Sequence, residues 1–206
     1  MSYKFLDKYD YLTPLSVMSM ESNLISDSLN FKRKVVRKNA QRFDFTITIS
    51  GGRNQSLNGD LFAHWMKYGM DSGFEIDVPQ PFHTLASFSV PSQAIVTVAL
   101  PVAAGSKTVT INSDYPFVIP AGRFFRFKNH NKLYVLTESA SSVQVSASQY
   151  SAELAFAPGL TETVAGGTLL ELNDVKAFVL NEADNAVITY ESGVIQSATL
   201  RFVEKL

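Results

Sequence analysis

Eight consecutive residues constrain this chain most. Arg42-Phe43-Asp44-Phe45-Thr46-Ile47-Thr48-Ile49 alternates polar and apolar without interruption, the two-residue period of a strand buried on one side. Phe43, Phe45, Ile47 and Ile49 share one face, and Arg42, Asp44, Thr46 and Thr48 share the other. Ser50-Gly51-Gly52 ends the run, because paired glycines favour turn conformations. One greasy face needs a covering layer, and the next segment predicts one. Asn58 to Gly69 reads as a short helix, with Asn58 as N-cap, Asp60 in the first turn and Gly69 just past the end. Leu61, Trp65 and Tyr68 recur at helical spacing, widened by Phe62 and Met66. Phe74-Glu75-Ile76-Asp77-Val78 then returns as a second strand.

Around this unit the 206 residues have room for one large β domain or two small ones. The 15 Phe and 8 Tyr favour half-buried sheet surfaces. A net charge of −1 gives no global field for nucleic acid or anionic membrane. There is no cysteine, which excludes disulfides and thiolate metal sites and fits a reducing compartment or a particle assembled in one. The N-terminus carries no apolar core of signal-peptide length, and no apolar run approaches the roughly 20 residues of a membrane span. A soluble chain is expected.

Residues 1–30 show no clear period, and Ser22 to Ser26 fits a short strand or a turn of helix equally. Phe31-Lys32-Arg33-Lys34-Val35-Val36-Arg37-Lys38 is the most charged run. It fits a nucleic-acid patch or, better given the missing net charge, an edge strand protected by its charges. Asn39-Ala40-Gln41 is expected to turn it into the alternating strand. After Pro79-Gln80-Pro81 and Pro91 the texture changes to short strands between turns. Phe124 to Lys128 and Lys132 to Thr137 flank Asn129-His130-Asn131 as the clearest hairpin. Five or six short strands up to about residue 167 predict a small barrel or sandwich. Ala177 to Leu180 and Ala186 to Tyr190, joined by 181–185, read as a further hairpin, and Val194 to Val203 as a final strand. These need a sheet, and residues 31–78 offer one. The expected fold is therefore all-β with one short helix. A discontinuous domain of residues 1–88 and 168–206 would carry an inserted barrel of residues 89–167.

Chemistry is sparse. His64, His83 and His130 match no metal-ligand spacing. Nucleophile motifs are missing, and Gly51-Gly52-Arg53-Asn54-Gln55 lacks the lysine and register of a phosphate loop. Glu75 and Asp77 share a strand face, as ordinary strand carboxylates often do. No catalytic, cofactor or metal residue is assigned, and a non-enzymatic role is expected. Phe125, Arg126, Lys128, Lys132 and Tyr134 give the barrel the aromatic and basic mixture of oligonucleotide/oligosaccharide-binding (OB) barrels. Against that, three phenylalanines within residues 124–127 argue for core.

The basic and aromatic strands at 31–38 and 42–49, followed by Leu61-Phe62-Ala63-His64-Trp65, resemble a phage tail domain. Gly105 to Ile111, Ile119-Pro120-Ala121-Gly122-Arg123-Phe124 and Asn131 to Thr137 look like the barrel inserts of tail-tip proteins. In size and layout the chain resembles the distal tail proteins of long-tailed siphophages, of the Tequintavirus type. The resemblance covers nearly the whole chain and rests on layout; the ring of that family has no catalytic site, so no functional residue is carried over. It implies a virion protein of the tail tip, assembled in the host cytoplasm. Such a baseplate component forms a hexameric ring that joins the tail tube protein to the tail-tip hub protein, with an inserted OB-fold-like barrel projecting outward. No membrane or sequence-specific nucleic-acid partner is implied. The alternative is a carbohydrate-binding module, in which the barrel recognises host-surface polysaccharide through residues such as Phe125 and Tyr134.

Overall fold

The computed structural model describes residues 16–27, 33–50, 67, 73–78, 80, 90–91, 94–181, 187–191 and 194–205. Its strands are β1 (Ser16–Asp27), β2 (Arg33–Ser50), β3 (Phe74–Asp77), β4 (Val96–Val98), β5 (Thr108–Ser113), β6 (Val118–Ile119), β7 (Phe124–Phe127) and β8 (Leu133–Leu136). They continue as β9 (Ala140–Ser141), β10 (Val143–Ser146), β11 (Gln149–Ala157), β12 (Leu170–Glu171), β13 (Lys176–Asn181), β14 (Val187–Glu191) and β15 (Val194–Glu204). The chain is mainly β, as its alternating patterns predict. The helix expected from Asn58 to Gly69 lies outside the described residues, except for helical Lys67.

Two compact units result. One comprises Met1–Met20, Arg42–Pro79 and Lys176–Leu206; the other comprises Glu21–Gln41 and Gln80–Val175. The first unit thus draws on both ends of the chain. The breaks around the long middle segment fall at Pro79/Gln80 and Val175/Lys176, against the expected 88/89 and 167/168.

One sheet has the order β1-β2-β15-β13-β3, with β14 also pairing β15; its first-unit part joins residues 42–50 of β2 to β15, β13, β14 and β3 by antiparallel pairing. The alternating stretch behaves as its pattern requires: Phe43 and Phe45 are buried and Arg42 is exposed. Register extends their buried face across the sheet. Phe45 lies opposite Phe202, Phe202 opposite Asn181, and Val179 between Glu204 and Phe74. Phe74 meets Phe202 edge to face at 5.3 Å. Each such ring stabilises the fold by about 1.5–3 kcal/mol through burial. Asp44, placed on the polar face by the pattern, is also buried.

Two local expectations are corrected. Asn39-Ala40-Gln41 does not turn the chain, since β2 runs unbroken from Arg33 to Ser50. That tripeptide has no glycine or proline to force a turn. Residues 33–38 of the basic segment belong to the same strand as the alternating stretch, and the register of that strand with β15 covers residues 44–50. Residues 16–27, without clear period in the sequence, form β1 beside β2. Lastly, residues 177–180 and 186–190 do not form a hairpin with each other. Both β13 and β14 pair with β15, whose 11 residues offer an edge long enough for two short strands.

The second unit is built on a nearly closed antiparallel sheet of order β12-β7-β8-β11-β5-β4, with β10 paired to β11. Closure comes from residues 167–169. Val98 N–H donates to the Thr168 carbonyl at 2.9 Å, and Gly167 N–H donates to the Val98 carbonyl at 2.8 Å. Thr97 bridges Leu169, while Lys128 N–H reaches the Leu169 carbonyl on the other side at 2.9 Å. Six strands therefore go round the barrel, one more than the five of an OB-fold. Its interior holds Val96, Val98, Val109, Ile111, Phe125, Phe127, Tyr134, Leu136, Leu154 and Phe156.

Candidate functional site

The hairpin of β7 and β8 carries the residues that the sequence offers for ligand binding. Register sets Phe124 opposite Val135, Phe125 opposite Tyr134 and Arg126 opposite Leu133. Phe125 and Tyr134 point inward and are fully buried. Phe125 packs edge to face on Phe127 and Phe156, at 5.5 Å from each, and Tyr134 lies 5.3 Å from Phe156. These rings are the barrel core, the second of the two readings the sequence allows.

The basic residues of the hairpin separate as well. Arg126 is buried, and its Nε and Nη2 both donate to Glu171 Oε2, at 2.9 and 2.8 Å. Glu171 lies directly opposite on β12, so the ion pair ties the closing strand to the hairpin. Lys132 is 2% exposed. Arg123 is buried and donates twice to the Leu172 carbonyl, at 3.3 and 3.0 Å, and burial lowers its pKa. Of the five residues that make up the OB-like aromatic and basic mixture only Lys128 is exposed. They do not form a common surface.

His130 sits at the hairpin tip as expected, yet it is only 4% exposed. Its Nδ1 lies 3.3 Å from the Tyr134 hydroxyl, and the Thr161 N–H donates to the same hydroxyl oxygen at 3.5 Å. The arrangement that satisfies these groups has Tyr134 O–H donating to Nδ1, which places the neutral ring's proton on Nε2. Nε2 is buried and makes no hydrogen bond. Burial holds the His130 pKa below the ordinary histidine range, against opposing pulls from the Glu162 carboxylate and the Thr163 backbone.

Residues 157–166 close this end of the barrel. Val102 and Val164 exchange backbone hydrogen bonds of 2.9 Å, and Gly105 N–H donates to the Leu160 carbonyl at 2.7 Å. Leu160 and Val164 are buried beneath. Gly159 allows the approach, because a Cβ there would lie 2.9 Å from the Gly105 carbonyl oxygen. The histidine, tyrosine and threonines form a seal between loop and core.

Other candidates lead no further. Glu75 lies 3.8 Å from Lys176 across the β3–β13 pair, as a half-exposed structural ion pair. His64, His83 and the glycine-rich turn at 51–55 lie outside the described residues. Among the described residues no group of three or more His, Asp or Glu could hold a metal ion. None of their helices is long and apolar enough to cross a membrane.

The outer surface of the barrel unit carries what the sequence did not single out. Ile95, Leu100, Val143 and Val145 are 58–70% exposed. All four residues of β10 are exposed. No family model matches the chain, and a search of curated proteins finds no match.

Proposed function

We propose that this chain is a structural component of the tail tip of a long-tailed bacteriophage. Copies would assemble into a hexameric ring joining the tail tube protein to the tail-tip hub protein. The observation that carries this reading is the division of labour between the two units. One is an open sheet assembled from segments far apart in sequence, with β3 standing last in its strand order. Edges and faces of this kind are the raw material of subunit contacts. The other is a nearly closed barrel lying between those segments in the chain, with its aromatic residues turned inward. That layout, with the segments at 31–38, 42–49, 105–111, 119–124 and 131–137 that resemble tail-tip proteins, supports scaffolding.

The carbohydrate-binding alternative loses its named platform, since Phe125 and Tyr134 are core residues. No observation favours it over the ring.

Mixing the purified protein with isolated tail tubes and imaging them by negative-stain electron microscopy tests the proposal. A six-fold ring seated at one tube end is the expected result. Bare tube ends at saturating protein would overturn it.

A further inference from the structure

The segment that closes the His130 end of the barrel is held by its backbone at two points. Leu160 N–H donates to the Ser106 carbonyl at 2.9 Å and its carbonyl accepts from Gly105 N–H, while Val164 exchanges backbone hydrogen bonds with Val102. Leu160 and Val164 are buried, and Thr161, Glu162 and Thr163 between them are exposed. Among the described residues no backbone–backbone hydrogen bond holds those three. Thr161 instead meets a side chain: its N–H donates to the Tyr134 hydroxyl at 3.5 Å, and its Oγ1 lies 3.4 Å from the same oxygen. From the hairpin side His130 Nδ1 shares that hydroxyl at 3.3 Å, and Nε2 is buried with no hydrogen-bond partner.

We propose that residues 160–164 are a proton-released strap, closed over His130 while the ring is neutral and opened when the ring takes up a proton. In the neutral ring Nδ1 accepts from the Tyr134 O–H. Protonation turns Nδ1 into a donor, so the Tyr134 hydroxyl proton must turn to Thr161 Oγ1. Nε2–H, already without an acceptor, then carries part of a positive charge in a site that is 4% exposed. A buried cation needs a partner or water, and an exposed segment tied at its two ends is a cover that opens locally. Two titratable groups bear on the ring, the Tyr134 hydroxyl from β8 and the exposed Glu162 carboxylate from the strap. From β7 the neighbour is the uncharged Phe127 ring at 5.7 Å, and Lys132 in the same hairpin is itself buried. Burial outweighs the pull of Glu162 and lowers the ring's pKa in the closed form. The open form therefore binds the proton more readily, and acid favours opening. Opening uncovers Leu160, Val164 and the Tyr134 end of the core, an apolar mouth that is covered at neutral pH. The strap does not depend on the ring reading, which concerns the sheet unit.

Amide hydrogen exchange of the whole chain, resolved residue by residue by NMR and corrected for the intrinsic pH dependence of exchange, tests the strap. Opening of residues 160–164 should rise severalfold from pH 7.5 to pH 5.0. The ceiling is about thirtyfold, set by a ring that titrates near 6.5 once exposed. His130→Gln cannot gain a charge and should remove the rise. Glu162→Gln, at an exposed position, withdraws the carboxylate that favours the cation in the closed form and should enlarge it. Equal protection of 160–164 at both pH values would overturn the proposal, and so would a rise that survives His130→Gln or shrinks in Glu162→Gln. Acid-driven exchange confined to the hairpin tip, residues 128–132, would mean that the histidine swings out without the strap and would overturn it equally.

Discussion

The barrel and the sheet bury similar residues by different means. In the barrel, Phe125, Phe127, Tyr134 and Phe156 contact one another inside a ring of strands that nearly closes. Its buried basic groups meet partners near the point of closure, Arg126 on Glu171 and Arg123 on the Leu172 carbonyl. In the sheet unit, Phe43, Phe45, Phe74 and Phe202 share their region with Asp44, Asn181 and Glu204, all 5% exposed or less. Glu204 Oε2 accepts the Phe43 backbone N–H at 3.2 Å, within an open sheet. Closure leaves a barrel few edges, whereas an open sheet keeps them.

The comparison can be broken most forcefully from inside the barrel. Phe125→Ala removes a ring packed on three others and should cost about 3–5 kcal/mol. Hydrogen exchange followed by mass spectrometry should show lost protection across 94–175 and little change in β2, β3, β13 and β15. Equal loss in both units would mean that they unfold as one. In the sheet, Glu204→Ala leaves the buried Phe43 N–H without that acceptor, at a cost of about 1–3 kcal/mol, and the same experiment should place the loss in β2 and β15. Gly159→Ala forces a methyl against the Gly105 carbonyl oxygen, and overpacking of this kind costs about 1–3 kcal/mol. Faster exchange at Gly105 and Leu160 is the signature to look for.

A subtler test uses pH. The folded-state pKa of His130 lies below its unfolded value of about 6.5. The unfolded chain therefore takes up the proton first, and stability falls as pH drops below that value until the folded-state pKa is passed. The urea midpoint should be lower at pH 5.5 than at pH 7.5, and His130→Gln should reduce the difference. An unchanged difference would mean that the seal at the barrel end does not titrate. The smallest effect belongs to Lys176→Met. It removes a half-exposed 3.8 Å ion pair with Glu75 and should shift stability by less than about 1 kcal/mol, read from the same urea curves.

Local patterns made the hairpin of β7 and β8 legible, because residues 129–131 separate two apolar runs of strand length. They also made the inward side of Phe43 and Phe45 legible, since alternation assigns faces directly. Burial on the other face was not legible: Asp44 is covered although the pattern sets it outward, because alternation says nothing of what packs there. The pairing of β13 and β14 was misassigned because neighbours in sequence are the usual partners, while the long β15 competes for both. The closing strand was hidden in Thr168-Leu169-Leu170-Glu171-Leu172, whose alternating Leu170 and Leu172 give the only signal. Glu171 there is what occupies Arg126, and that pair removes a residue counted toward a binding surface. The exposed β10 was visible only as an uncharged run, since exposure depends on which strands lie alongside.

Antibody-gold labelling of intact long-tailed phage particles tests the central claim most directly. A single cluster of label where the tail tube meets the tip is the result predicted for a ring-forming tail-tip component. Particles that carry no label there, with the epitope shown to be accessible, would contradict it.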